Sequence, residues 1–161
     1  GVMVPGGGFF LNDLLNGFDM GAASLRDPDA VNVPEAAARP RNFAAMALVF
    51  KEGKPALVLN SLDAERSSAV VVNLLAQWAA FQTPCENLIS VPRVLDAGGV
   101  MQMEKPLYGP ADTARVKLEL IGHKIEARDR LGNAQVICYE SDTGKLSGQS
   151  DPRAAGSAAG I

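Results

Sequence analysis

The sequence predicts an α+β fold in which β-sheets are covered by helices. Three observations predict it. Two apolar runs, MALVFK and KPALVLN, flank the dipeptide Glu52-Gly53; a segment with helical apolar spacing, ERSSAVVVNLLAQWAAF, follows them; and three further strand-like runs crowd the C-terminal part.

Taken in order, GVMVPGGG reads as a short strand breaking into a glycine turn, and FFLNDLLNGF as a short helix or irregular turn. Residues 19–38 have no usable period and read as a long loop, of the kind that is functional or mobile inside a domain. MALVFK and KPALVLN form a hairpin, with Gly53 where positive φ is needed. Both runs are almost continuously apolar, which predicts cover on both faces and a central place in a sheet. Beyond it, Val70, Val71, Leu74, Leu75, Trp78 and Phe81 share a helical face. The β-branched residues there lower helix propensity, so burial must hold the helix. Thr83-Pro84-Cys85-Glu86 predicts a capping box opening a second short helix. VMQMEK reads as a strand. ADTARVKLELIGHKIEARD is ambiguous: Val116, Leu118 and Leu120 alternate like a strand, while Ala114, Leu118 and Ile121 share a helical face that Gly122 would close. Helix followed by strand HKIEAR is the favoured reading. Strands NAQVICYE and KLSGQS complete the order β-β-α-α-β-α-β-β-β.

At 161 residues, 47% hydrophobic, the chain can bury a core without disulfide help. A net charge of −3 argues against nucleic acid as a partner, since phosphate binding needs clustered Lys and Arg. No apolar run approaches membrane-spanning length, so no membrane association is expected. Cys85 and Cys138 are too few for a disulfide scaffold, and with a single histidine they make a poor zinc set, so neither metal nor cofactor is expected. The start at Gly1 without an initiator Met predicts a fragment or one subunit of something longer.

Few residues point to chemistry by themselves. His123 is the only histidine, no serine or cysteine sits in a nucleophile elbow, and the residue reads as a helix C-terminal neighbour. Arg153 in SDPR is a candidate for a substrate carboxylate, with an ordinary turn as the simpler reading. Cys85, in the first turn of a helix, is either a thiol of lowered pKa or a small buried hydrophobe.

The order of motifs says more. GVMVPGGGFFLND, ARPRNFAAMALVFKEGKPALVLNS, Arg66, VPRV, LIGHKIEARD, GNAQVI and GKLSGQSDPR with the closing AAG together resemble the C-terminal part of the γ-glutamyltranspeptidase family. The resemblance runs in register over almost the whole chain, and GQSDPR with AAG is its most specific piece. It implies an N-terminal-nucleophile hydrolase fold, an αββα sandwich of which residues 1–161 form part as a single domain, incomplete without the upstream chain. It also implies a helix ahead of LIGHKIEARD. The partner would be a large subunit or upstream segment of the same precursor, and the substrate a small-molecule amide. In such enzymes a Thr freed by self-cleavage attacks an amide carbonyl with its own α-amine as base. That Thr would precede Gly1. The resemblance implies a periplasmic or secreted setting, while the residues alone leave the compartment, cytoplasm included, undecided.

The resemblance also marks where this sequence departs. The family turn Gly-Ser-Pro-Gly-Gly ends in two glycines whose N–H groups form an oxyanion hole, and those positions are Asp63 and Ala64 here. A backbone N–H survives such replacement, but an Asp carboxylate beside a developing oxyanion opposes its stabilisation, whereas Asp63 as a helix cap would be well suited. The paired serines that hold the substrate α-carboxylate fall on Asn42 and Phe43. The Gln and Asp of Asn-Asn-Gln-Met-Asp-Asp-Phe, which contact the γ-glutamyl end, fall on Leu14 and Gly17, and Asn12 and Phe18 of that motif are retained. Asn12, Leu14, Gly17, Asn42 and Phe43 are therefore the substrate-binding positions. An unpaired zwitterion against Leu and Phe would lose several kcal/mol, so glutathione should be a poor substrate. Three readings follow: an amidase or acyltransferase with a non-glutamyl acyl pocket; a catalytically silent relative with a structural or binding role; or an ordinary γ-glutamyltransferase in a different register, against which the gap-free spacing from Arg39 to Arg66 argues.

Overall fold

In the computed structural model, which describes residues 2–9, 11, 14–96, 98–107, 109 and 113–160, the chain divides into two units, Gly1–Asn42 and Phe43–Ile161. In the first, Leu11 N donates to Val2 O at 2.8 Å and Val4 N to Phe9 O at 3.0 Å, closing a small hairpin-like turn over the glycines. Short 3₁₀ turns occupy Leu14–Gly17 and Ser24–Arg26. Asn32 anchors the long loop. It is buried, its Nδ2 donates to Gly17 O at 2.8 Å, and its Oδ1 accepts from Arg41 N at 3.3 Å.

The second unit contains the predicted elements and one further strand, Val94–Asp96, that the sequence pattern did not announce. They are strands β1 (Ala45–Lys51) and β2 (Lys54–Ser61), helices α1 (Ser67–Ala79) and α2 (Cys85–Leu88), and strands β3 (Val94–Asp96) and β4 (Met101–Glu104). Helix α3 (Thr113–Leu120) and strands β5 (Ile125–Arg128), β6 (Ala134–Tyr139) and β7 (Leu146–Ser150) complete it. One sheet is antiparallel in the order β1-β2-β6-β7, and a second runs β3-β4-β5 with β4 and β5 parallel. The ambiguous segment is helix then strand, as favoured. A parallel pair needs a long crossover, and α3 provides it.

The hairpin turns through Glu52 and Gly53, both left-handed at φ +53° and +78°. That mirror-image turn matches the right-handed twist of paired strands. Helix α1 lies over one face of the sheet: Val70, Val71 and Leu74 join Leu57, Leu59 and Val136 in one core, with Leu88, Ile89, Leu95 and Leu131. Each such side chain contributes about 1.5–3 kcal/mol on burial, which offsets the poor propensity of the valine run. Gly132 shows how tightly this region packs. Its φ is +80°, and a Cβ there would lie 2.5 Å from Val70 Cγ2 and 3.0 Å from Arg93 Nη1, so both conformation and space demand glycine.

Four expectations change. The hairpin is not covered on both faces, nor central: β1 is the sheet edge, and Met46, Leu48 and Phe50 are 78%, 54% and 57% exposed. Alternate residues of a strand face opposite ways, and within this chain α1 reaches only one set. The capping box does not form. Pro84 is the cap residue of α2 and makes no side-chain cap bond, while Thr83 Oγ1 donates to Gln77 Oε1 at 3.1 Å. Helix α1 ends at Ala79, which leaves Phe81 exposed. Finally, Cys85 is neither a free thiol nor a simple hydrophobe. It forms a disulfide with Cys138, 53 residues away, tying the start of α2 to β6. Cys138 points to the covered face of β6, the side on which α2 starts.

Candidate active site

The strand-to-helix turn between β2 and α1 is built from the inside out. Ser61, fully buried at the end of β2, donates from Oγ to Asn133 O at 2.8 Å, and Leu62 N donates to the same oxygen at 3.3 Å. Residue 133 immediately precedes β6, so sheet pairing fixes the turn's entry. Its exit is fixed by Ser67, also fully buried, whose Oγ accepts from Asp63 N at 2.8 Å. Between these anchors Ala64 sits at φ +46°. An alanine there costs roughly 1–2 kcal/mol relative to a right-handed conformation, so the turn keeps a glycine-like backbone without a glycine. Replacing Ala64 with glycine should therefore stabilise the protein by about 1 kcal/mol. A thermal melt of the variant that fell below the parent would show the left-handed conformation to be absent.

Asp63 does not serve as the expected cap. Its side chain makes no cap hydrogen bond; its carboxylate instead faces Arg66, Oδ2 to Nη1 3.6 Å. A short 3₁₀ turn, Ala64–Arg66, separates Asp63 from α1, whose own cap residue is Arg66.

A groove of about 660 Å³ opens beside this turn, lined by Phe43, Asp63, Ala64, Glu65, Arg66 and Asp96 with Gly98 and Gln102. Asp96 Oδ1 accepts from Gly98 N at 3.0 Å and Gly99 N at 3.2 Å, which shapes its far wall. Three of the sequence-derived positions, Phe43, Asp63 and Ala64, thus meet in one place. Leu14, Gly17 and Asn42 belong to the unit Gly1–Asn42, and Asn12 lies outside the described residues. Gly17 has no room for a side chain, because a Cβ there would collide with the Arg41 carbonyl oxygen. Sequence reading missed Ser67, Asn133, Asp96 and Gln102. The available signal was a serine in the first turn of a helix, where its hydroxyl can bond local backbone.

Arg153 does not present itself to a substrate carboxylate. It lies in a buried ionic chain with Arg93, Asp151 and Glu104. Glu104 takes Arg153 bidentately, Nε to Oε1 and Nη2 to Oε2, both 2.6 Å. The Arg153 Nη1–Asp151 Oδ1 contact is 3.1 Å, and Arg93 Nη2 meets Asp151 Oδ2 at 2.8 Å. The remaining Arg153 donors go to Ile89 O at 2.9 Å and Val91 O at 3.1 Å. Burial lowers the Arg93 pKa despite Asp151, whereas the hydrogen bond to Glu104 raises that of Arg153. The SDPR motif is thus a staple between distant segments. His123 is exposed just past α3, its N–H bonded to Leu118 O at 3.1 Å, and among the described residues no group of side chains could hold a metal ion.

Helices packed on sheets, with a strand-to-helix turn beside a groove, agree with the N-terminal-nucleophile hydrolase fold that the resemblance implies. The gamma-glutamyltranspeptidase family model matches residues 1–161, and the chain belongs to that family. The glutathione hydrolase proenzyme of Bacillus subtilis (strain 168) is 25% identical over 162 residues, covering 100% of this chain and 26% of the relative. The chain thus spans about a quarter of that relative's length. Gamma-glutamyltranspeptidase from Helicobacter pylori, solved as a mutant, is similar with a TM-score of 0.72 and 24% identity over 95% of this chain and 86% of the other. The enzyme from Pseudomonas nitroreducens gives 0.70 and 24% over 99% and 86%.

Proposed function

We propose that the chain is part of an amide hydrolase or acyltransferase of the γ-glutamyltranspeptidase type whose acyl pocket is not built for a γ-glutamyl group. The nucleophile would be an upstream Thr freed by self-cleavage. Its hydroxyl adds to the amide carbonyl carbon, the π electrons move onto the carbonyl oxygen, and the proton passes to the Thr α-amine. The amine leaving group takes the proton as the C–N bond breaks, and water or a second amine then releases the acyl group.

The observation that supports this reading most is Phe43 lining the groove beside the Asp63–Ala64 turn. In the family resemblance that position belongs to a serine gripping a carboxylate. A phenyl ring there favours an apolar or aromatic acyl chain and leaves a carboxylate without a partner. By the family resemblance alone, Leu14 falls at a second carboxylate-binding position, which argues for the same preference. The crowding at Gly17 adds to it, because an Asp could not be accommodated there without moving Arg41. The left-handed Ala64 supports an active turn, since strained backbone persists where a site depends on it.

Completion by an upstream segment or large subunit is supported by the bare apolar sheet face carrying Met46, Leu48 and Phe50, with Val58 and Ile137. The Cys85–Cys138 disulfide supports a periplasmic or secreted setting. The second reading, a silent relative, draws support from Asp63 N, which donates to Ser67 instead of facing the groove. Assaying the complete, processed protein on aromatic-acyl and γ-glutamyl anilides separates the readings. Preference for the aromatic amide fits the first, and no turnover of either fits the second.

A further inference from the structure

We propose that Arg66 supplies the second positive contact to the oxyanion in this protein, in place of the Asp63 N–H. The inference rests on the acyl-transfer reading above. When the nucleophile adds to the amide carbonyl, the oxygen takes the full electron pair, and catalysis depends on donors aimed at it beforehand. Of the two backbone N–H groups at this turn, that of Asp63 is bonded at 2.8 Å to Ser67 Oγ. Ser67 is completely buried in the first turn of α1, so this donor is directed into the fold and away from the groove. Of the two oxyanion positions that the resemblance marks, that leaves the Ala64 N–H.

The charges around the groove make one N–H insufficient. Asp63, Glu65 and Asp96 line it with carboxylates, and Arg66 is the sole basic side chain among the described lining residues. An oxyanion forming there meets three negative groups and one positive one. Arg66 is well placed to act: its side chain is 47% exposed, and its contact with Asp63 is long at 3.6 Å and engages a single nitrogen. Its remaining donors are available to a ligand, and a planar guanidinium offers them in a fixed fork. Asp63 thereby changes meaning. Its carboxylate would oppose the oxyanion if alone, and the Arg66 guanidinium 3.6 Å away offsets it.

Position 67 follows from the same geometry. Removing the Ser67 hydroxyl returns the Asp63 N–H to the groove, so Ser67→Ala should partly replace what Arg66 provides.

The test uses the complete, processed protein and an aromatic-acyl anilide, with kcat and KM determined separately. Arg66→Ala should lower kcat by about 10²-fold, the usual effect of losing one oxyanion donor, and leave KM within about 3-fold. Arg66→Lys should retain part of the rate. Added guanidinium chloride at millimolar concentration should restore turnover to Arg66→Ala but not raise that of the parent, a rescue that loss of a merely structural arginine would not show. Ser67→Ala in the Arg66→Ala background should recover about 10-fold. An Arg66→Ala protein with parental kcat, or a fall unrescued by guanidinium, overturns the assignment while leaving the acyl-transfer reading intact. A parent protein that turns over no amide overturns both.

Discussion

Replacing Glu104 with alanine should destabilise the complete protein by about 3–5 kcal/mol, as expected when one partner of a buried ion pair is removed. Glu104 is buried and accepts four hydrogen bonds: Arg93 N at 2.9 Å, Leu131 N at 2.7 Å, and Nε and Nη2 of Arg153 at 2.6 Å each. Truncation strands two backbone donors and leaves Arg153 with Asp151 as its remaining carboxylate partner. A glutamine at 104 would keep the shape but not the charge. The exposed pair Lys105–Asp129 is the natural control, and Asp129→Asn should leave the melting temperature unchanged. The same carboxylate gives a pH dependence. Burial alone would raise the Glu104 pKa, but the hydrogen bonds from Arg153 and from the Arg93 and Leu131 amides outweigh it and hold the group below its ordinary range. The folded state therefore binds its proton less readily than the unfolded state. The stabilisation is complete above the unfolded glutamate value of about 4.3 and is lost as pH falls toward the folded value. Denaturation midpoints from pH 7 to pH 3 should show this loss in the parent and a flatter profile in Glu104→Gln. Parallel profiles would contradict the assignment.

Reducing the Cys85–Cys138 disulfide should cost about 4 kcal/mol, the chain-entropy expectation for a loop of 53 residues. The native state has reason to need it. Helix α2 is four residues long, too short to persist by itself, yet the Ile89 carbonyl just beyond it accepts from both Arg93 and Arg153. Releasing its first residue from β6 loosens the segment on which that ionic chain leans. Unfolding in denaturant with and without a dithiol reductant, and with a Cys85→Ala, Cys138→Ala double variant, measures the effect. A midpoint indifferent to reductant would mean that the bond is absent or unimportant.

What was legible in the sequence was local. The Glu52-Gly53 turn between apolar runs specified the hairpin, and helical spacing from Val70 to Trp78 specified α1, because a period and a turn residue express nearest-neighbour geometry. Strand β3 was not legible: three residues following Pro92 and Arg93 carry too little pattern. The capping box misled because Thr83 found a better partner in Gln77. The staple of Arg93, Glu104, Asp151 and Arg153 was invisible for another reason. Its members are scattered along the chain, and nothing in any local window says that two arginines and two carboxylates meet in the interior. The disulfide is the same case. At the site, family resemblance named Phe43, Asp63 and Ala64, and the fold brings these three to one groove. The resemblance could not show that the Asp63 amide points at Ser67, because that bond depends on a side chain in the following helix.

The proposed exchange of a γ-glutamyl pocket for an apolar one sets the expected substrate preference. The most direct measurement is kcat/KM of the complete, processed protein for a phenylacetyl anilide against a γ-glutamyl anilide of the same leaving group. At least about 10-fold preference for the aromatic amide is expected, which takes only about 1.4 kcal/mol of the several that an unpaired zwitterion would cost. Exchanging Phe43 and Asn42 for serine and Leu14 for glutamine should narrow that ratio. Equal or better turnover of the γ-glutamyl anilide by the unmodified protein would contradict the claim outright.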